Sequence, residues 1–321
     1  MHSPSELLQK IEQAINNIQY PPHPASLYEP ISYIMSLGGK RIRPTMLLMS
    51  VDLFKGSIER AIPAALAIET FHNFTLIHDD IMDNAPLRRG KQTVHEKWGD
   101  NTAILSGDVM MVEANKHLTK VDVTILKPAL DTFNATAQGV CEGQQLDMEF
   151  ESRNDVSIDE YINMIRLKTA VLVGGAMKLG AIVSKAGDDE AELIYQFGEN
   201  LGIAFQLQDD ILDVYGDPEK FGKQVGGDII SDKKTFLRLK LQELANTNDL
   251  NRLNAQRLED KADKINNVTS LYDQYKVKEH ATLIMKEYLE KAFMALELID
   301  VPEEQKKELI LLANQLMNRE S

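Results

Sequence analysis

The 321-residue chain is long enough to bury a sizeable core without a disulfide or metal staple, and its 43% hydrophobic and 26% charged residues are ordinary for a globular protein. Lysine and arginine number 35 against 49 aspartates and glutamates, a net charge of −14 that is the reverse of a nucleic-acid binder's balance. The single cysteine, Cys141, excludes a disulfide framework and a cysteine-rich zinc site; with no apolar run near the roughly 18 residues of a membrane span and no signal-peptide pattern at the start, a cytoplasmic chain without a membrane span is expected.

Helix signals run from end to end. Ser3-Pro4-Ser5-Glu6 combines a capping box with a first-turn proline, and Leu7, Leu8, Ile11, Ile15 and Ile18 recur at helical spacing until Pro21-Pro22. A second helix is predicted from about Pro24 to Gly38-Gly39. Others follow near Pro44–Phe54, Ile58–Met82, Ala103–Leu118, Ile125–Glu151, Ile158–Lys185, Asp189–Tyr215 and Lys233–Leu244. From about Asn251 the chain is polar, with Leu and Ile at three-to-four spacing. No stretch shows the two-residue alternation of a strand. Without a Gly/Ser/Pro-rich linker or a repeat, the pattern predicts one all-α domain over residues 1–321.

Two copies of DDxxD stand out, Asp79-Asp80-Ile81-Met82-Asp83 and Asp209-Asp210-Ile211-Leu212-Asp213. Both lie in apolar, helix-patterned segments, where carboxylates carry a desolvation cost unless something compensates them. On a helix, the first and fifth positions are about 40° apart in projection and roughly 6 Å apart in rise. Asp79 with Asp83, and Asp209 with Asp213, can therefore share a face. Two such faces form an anionic, all-oxygen cradle suited to Mg²⁺, which binds a few carboxylates and keeps positions for water and phosphate oxygens. The bland reading is a solvated acidic face, or carboxylates favoured at a helix N-terminus. An EF-hand is excluded, because neither cluster alternates oxygen ligands along a twelve-residue loop.

Cations accompany both clusters. Gly38-Gly39-Lys40-Arg41-Ile42-Arg43-Pro44 falls between two predicted helices, and Arg88-Arg89-Gly90 follows the first cluster. Lys223 and Lys233 follow the second, and Lys168-Thr169 interrupts an apolar helix, where an unpaired ammonium would be costly. Carboxylates alone repel a phosphorylated ligand. Mg²⁺ bridges the two, and Arg or Lys takes the remaining oxygens. No Ser/His/Asp or Cys/His constellation is evident.

These residues resemble the trans-isoprenyl diphosphate synthases, the all-helical polyprenyl synthetase family, from about Gly38 to Thr235. The motifs are GGKRIRP, LIHDDIMD, LRRG, Gly107-Asp108, GQQLD at Gly143–Asp147, Lys168-Thr169, FQLQDDILD and GKQVGGD. The resemblance implies an isoprenoid synthase fold, a helical bundle around a central cavity, and head-to-tail condensation of isopentenyl diphosphate with an allylic diphosphate. It implies that Asp79, Asp83 and Asp209 hold three Mg²⁺ (Mn²⁺ as a substitute), with Asp80, Asp210 and Asp213 as additional or water-mediated ligands. Arg88, Lys168, Lys223 and Lys233 would grip the allylic diphosphate. Gly39, Lys40, Arg43, His72 and Arg89 would belong to the isopentenyl diphosphate site, and Gln206 and Thr169 would face the allylic carbon. The family further implies a homodimer.

Product length follows from the helix carrying Asp79. Thr75, Phe74 and Phe71 lie four, five and eight positions upstream, about 6, 7.5 and 12 Å below Asp79 at helical rise. In the family an aromatic at the fifth position is a floor for the growing chain, so Phe74 implies geranylgeranyl diphosphate, with farnesyl diphosphate as the near rival. Phe74 and Phe71 as core packing is the alternative. A longer-chain synthase, a terpene cyclase and a catalytically silent partner subunit are the competing readings. The second DDxxD and the GGK segment argue against a cyclase, and the complete acidic and basic set argues against a silent subunit.

Overall fold

Capping explains where the first helices begin. In the computed structural model, which describes residues 2–217, 225–255 and 260–318, Ser3 Oγ accepts the Glu6 N–H while the Glu6 carboxylate accepts the Ser3 N–H at 2.7 Å. That reciprocal box opens α1 (Pro4–Asn16). After it come α2 (Ala25–Ser36), α3 (Ile42–Leu53) and α4 (Ile58–Met82), the last capped by Ser57. A short antiparallel hairpin follows, β1 (Leu87–Arg88) with β2 (Lys91–Gln92). It is invisible in the residue pattern, because two-residue strands leave no alternation to read. Its turn residues Arg89 (φ 51°) and Gly90 (φ 74°) are both left-handed, the backbone that matches strand twist in a two-residue turn.

Then come α5 (Val94–Trp98), α6 (Asp100–Leu118), α7 (Val123–Ser152) and α8 (Ile158–Ile165). The helix predicted as one run over Ile158–Lys185 is interrupted by a π-helical turn, Arg166–Ala170, before α9 (Val171–Val183). The remaining helices are α10 (Asp188–Tyr215), α11 (Gly227–Ile230), α12 (Phe236–Leu244), α13 (Thr247–Ala255), α14 (Lys261–Gln274), α15 (Val277–Glu297) and α16 (Glu303–Met317). The predicted start at Lys233 falls instead at Phe236, where the Thr235 hydroxyl accepts the Arg238 N–H. Among the described residues the fold is all-α apart from the hairpin.

Two compact units make up the chain. The first comprises Met1–Ala137, Gly175–Tyr195 and Ile299–Glu308. Its core gathers Met46, Leu47, Leu48, Ile68, Phe71 and Phe133, all at most 1% exposed, and the Phe71 and Phe133 rings meet edge to face at 5.5 Å. Ser50 Oγ donates to the Met177 main-chain oxygen at 2.7 Å, so a buried hydroxyl is satisfied inside that core.

The second unit comprises Gln138–Gly174, Gln196–Leu298 and Leu309–Ser321. Phe197, Phe236, Leu237, Val268 and Leu271 are its buried centre. Here small residues bring backbones together. A Cβ on Gly198 would lie 2.9 Å from Gly174 Cα, and one on Gly202 would lie 2.7 Å from Ala170 Cα.

Candidate active site

Both aspartate clusters sit at the C-terminal ends of their helices. Asp79 and Asp80 are in the last turn of α4, Asp83 is its C-cap, and Asp209, Asp210 and Asp213 occupy the end of α10. That overturns the reading in which a helix N-terminus favours them. The negative pole of each helix opposes these carboxylates, and neither last turn holds a basic residue. Such local conflict is expected where function sets the sequence.

In the first unit, the three aspartates differ. Asp80 is 1% exposed and is gripped by Arg88, whose Nε and Nη2 donate to its two oxygens at 2.8 and 2.7 Å. This bidentate fork ties the hairpin to the end of α4. Asp79 is half-buried and Asp83 exposed. Arg89, at the hairpin turn, donates to the Gly38 main-chain oxygen. Gly39 (φ 134°) lies directly under that guanidinium, since a Cβ there would come within 2.8 Å of it. Gly39 therefore makes room for Arg89, and Lys40 follows it, exposed.

Arg41 is fully committed to the protein. It is 4% exposed and donates to Glu12 at 2.9 Å, Glu69 at 2.6 Å and the Met35 main-chain oxygen at 2.6 Å. Arg43 differs. Its Nη1 donates to His72 Nε2 at 3.2 Å, and its Nε is buried without a hydrogen-bond partner. Burial, and after it the Arg43 charge with those of Arg89, Arg88 and Arg41, holds the His72 pKa well below the imidazole range. His72 is therefore neutral and accepts from Arg43, because guanidinium only donates. Among the described residues neither Arg43 nor Arg89 has a carboxylate partner. This corner of the unit gathers several cations around a neutral histidine, with Glu69 as the nearby carboxylate.

Next to His72 on α4, Phe71 is 0% exposed and packs on Phe133 and on Phe74 at 5.5 Å. It belongs to the core. Phe74 keeps accessible surface and meets the His78 ring at 4.7 Å, while Thr75 Oγ1 donates back to the His72 main-chain oxygen at 2.8 Å. A Cβ at Gly107 would strike the His78 ring, so the glycine of the Gly107-Asp108 pair serves a close approach of α6.

The second unit holds an open-sided cavity of about 140 Å³ bordered by Asp147, Tyr161, Lys168, Thr169, Gln206, Asp210, Asp228 and Lys233. Lys168 and Thr169 ride on the π turn. Gly143 of α7 makes that possible: its missing Cβ would land on the Lys168 main-chain nitrogen. One turn on, Asp147 accepts from Lys168 Nζ at 2.5 Å, which answers the cost of an ammonium in an apolar helix. Thr169 Oγ1 donates to Gln206 Oε1 at 3.4 Å. Asp210, 4% exposed, accepts from Tyr161 Oη at 2.5 Å and from the Phe236 N–H at 3.3 Å. Burial and then the Asp228 charge push its pKa up to about 7. Asp213 accepts the Asp228 N–H at 3.0 Å. Lys223 lies outside the described residues.

A protein-family model described as polyprenyl synthetase matches residues 24–275. The chain belongs to the polyprenyl synthetase family. It is 41% identical to the geranylgeranyl diphosphate synthase of Methanosarcina mazei over 71% of each chain. It is 36% identical to the short chain isoprenyl diphosphate synthase of Methanothermobacter thermautotrophicus over 97% of this chain and 95% of that one. Among solved structures, a geranylgeranyl pyrophosphate synthase superposes with a TM-score of 0.93 at 43% identity, covering all of both chains. This polyprenyl synthetase is thus a trans-prenyltransferase with an isoprenoid synthase fold, as the motifs implied.

Enzymes of the polyprenyl synthetase family are generally Mg²⁺-dependent, and the donor chemistry here fits. Asp79 with Asp83, and Asp209 with Asp213, are hard oxygen pairs one helical turn apart. Among the described residues no three such side chains close on one point, so the clusters offer carboxylate pairs and not a closed cage. Among the described residues no helix is long and apolar enough to cross a membrane. Asp147 stands in the GQQLD motif, and its role as the partner of Lys168 appears only in the fold. Tyr161 escaped the sequence reading, because it carries no motif and reaches Asp210 from 49 residues away.

Proposed function

We propose that this polyprenyl synthetase condenses isopentenyl diphosphate with an allylic prenyl diphosphate and releases geranylgeranyl diphosphate. The observation that carries the reading is Arg43: a buried guanidinium with an unpartnered Nε, a neutral histidine as its neighbour and Arg89 close by. A buried donor without a partner is costly, and a diphosphate offers the charge and the oxygens to satisfy Arg43 Nε. Arg43, Arg89 and Lys40 bind the isopentenyl diphosphate head, with Gly39 keeping the space for Arg89. His72 stays uncharged, so it adds no proton to the site and orients Arg43.

Asp79 and Asp83 in the first unit, and Asp209 in the second, would hold Mg²⁺, with three ions expected. Asp80, with both oxygens held by Arg88, and Asp210 and Asp213, each bonded to its own unit, are the additional or water-mediated ligands. Bound there, the metal neutralises charge on the departing diphosphate. Arg88, Lys168, Lys223 and Lys233 supply donors to phosphate oxygens. Gln206 Oε1, oriented by Thr169, presents a carbonyl dipole to the cavity and stabilises positive charge at the allylic carbon. The double bond of isopentenyl diphosphate then attacks that carbon, and a proton leaves to the released diphosphate.

Phe74, with surface left to meet a growing chain, is the floor that limits product to C20; Phe71 supports it from the core. Exposed Ile104, Leu105 and Val112 on α6 supply an apolar homodimer face, checked by a dimeric mass in light scattering. The sharpest test of the reading is Arg43→Met. It should raise the KM for isopentenyl diphosphate by about ten-fold or more, as loss of a charged hydrogen bond does, and leave the allylic KM near its starting value. Equal effects on both substrates would refute the assignment.

A further inference from the structure

The segment after Leu244 carries none of the family motifs quoted above, yet one of its lysines is buried under the loop that presents Lys233. Lys264, in the first turn of α14, is 6% exposed. Lysine is almost never buried to that degree unless it is paired. Its Nζ donates to the Ile230 main-chain oxygen at 3.0 Å and to Asp232 Oδ2 at 2.8 Å. Ile230 ends α11, where carbonyls lack an intrahelical partner. Asp232 stands at φ 54°, a left-handed backbone that its surroundings must enforce. Its other oxygen faces Arg238 Nη1 at 3.7 Å, and Arg238 is 5% exposed.

The near end of the same loop is held as firmly. Gly226 donates to the Asp213 main-chain oxygen at 2.6 Å, and the Asp228 N–H reaches the Asp213 carboxylate at 3.0 Å. Gly226 (φ 82°) packs on Ile265, the residue after Lys264, so closely that a Cβ would lie 2.7 Å from its Cδ1. Asp228 and Lys233 border the cavity, whereas Lys264 and Arg238 do not. A buried ion pair adds little net stability over an apolar pair of the same size. Stability alone therefore gives no reason for an ammonium here, but direction does, because two hydrogen bonds fix two points of one turn.

We propose that Lys264 is a positioning residue: with Arg238 it clamps Asp232, and so fixes the chain reversal that sets Asp228 and Lys233 at the cavity. The proposal rests on the reading of that cavity as part of a diphosphate site.

The test pairs Lys264→Met and Lys264→Arg with Lys233→Met in the full chain. Lys264→Met should raise the KM for the allylic diphosphate about ten-fold, leave that for isopentenyl diphosphate nearly unchanged, and recover most of the loss as Lys264→Arg. In a Lys233→Met background it should add little, because both changes act through one ammonium. Additive losses in the double variant, or equal loss for both substrates, would overturn the clamp. Hydrogen exchange at amides 227–233 reads the clamp without any substrate: Lys264→Met should speed it about ten-fold or more, and unchanged rates would overturn the proposal. Should Lys264→Met fail to fold, Asp232→Asn removes the shared carboxylate and carries the same two expectations. A parent that transfers no prenyl group would refute the functional reading, while the exchange rates still decide the clamp.

Discussion

Arg88 holds Asp80 with two parallel hydrogen bonds, 2.8 and 2.7 Å long, and so fastens the hairpin after α4 to the aspartate cluster at its end. The first DDxxD is therefore not three equivalent carboxylates. Asp80→Asn should destabilise the fold by roughly 2–3 kcal/mol, below the figure for a fully buried pair because Arg88 is partly exposed. Asp79→Asn should cost less stability than Asp80→Asn, since it is less buried and the change relieves charge at a helix C-terminus, yet abolish most turnover. Denaturant midpoints beside turnover rates separate the two. Equal destabilisation by both changes would contradict the division of labour.

Gly143 presses against the main chain of the π turn, and Gly139, one turn earlier on α7, does not. A Cβ on Gly139 would meet Val171 Cγ2 at an ordinary 3.4 Å. Gly139→Ala should be neutral or stabilise by up to about 1 kcal/mol through helix propensity. Gly143→Ala must push the backbone that carries Lys168 and Thr169, at a cost of about 1–3 kcal/mol, with loss of activity. Chemical denaturation of the two variants checks this, and a tolerated Gly143→Ala would show that the π turn yields.

Low pH should weaken the fold through His117. This ring is 5% exposed, both its nitrogens are buried without a hydrogen-bond partner, and burial lowers its pKa to about 4. In the unfolded chain it titrates near 6.5. Between those values the unfolded state binds more protons, so stability falls as the pH drops from about 6.5 to about 4 and is unaffected by this group above that window. His72, held low in the same sense, adds to the effect. His117→Leu should lose less stability than the parent between pH 7.5 and pH 5. Equal losses would remove His117 as a cause.

Much of this was legible in the residues themselves. Ser3 and Glu6 announce a helix start because capping is local, and the two DDxxD copies announce paired carboxylates on one helix face because that spacing is geometric. What stayed hidden depends on distant partners. The hairpin rests on a two-residue turn and on Arg88 finding Asp80. The π turn leaves no trace in residue periodicity and depends on Gly143 and Gly202 approaching it from other helices. Tyr161 and Lys264 have no motif, and their roles appear only with Asp210 and Asp232 beside them. Phe71 and Phe74 read alike in sequence, yet packing makes the first a core residue and leaves the second with exposed surface.

The most direct measurement is turnover of the purified chain with labelled isopentenyl diphosphate, an allylic diphosphate and Mg²⁺, with the products sized by chromatography. The account predicts label in a C20 prenyl diphosphate, lost when the metal is chelated, and chains longer than C20 from Phe74→Ala. A parent protein that incorporates no label under these conditions, or incorporates it equally without a divalent metal, would contradict it.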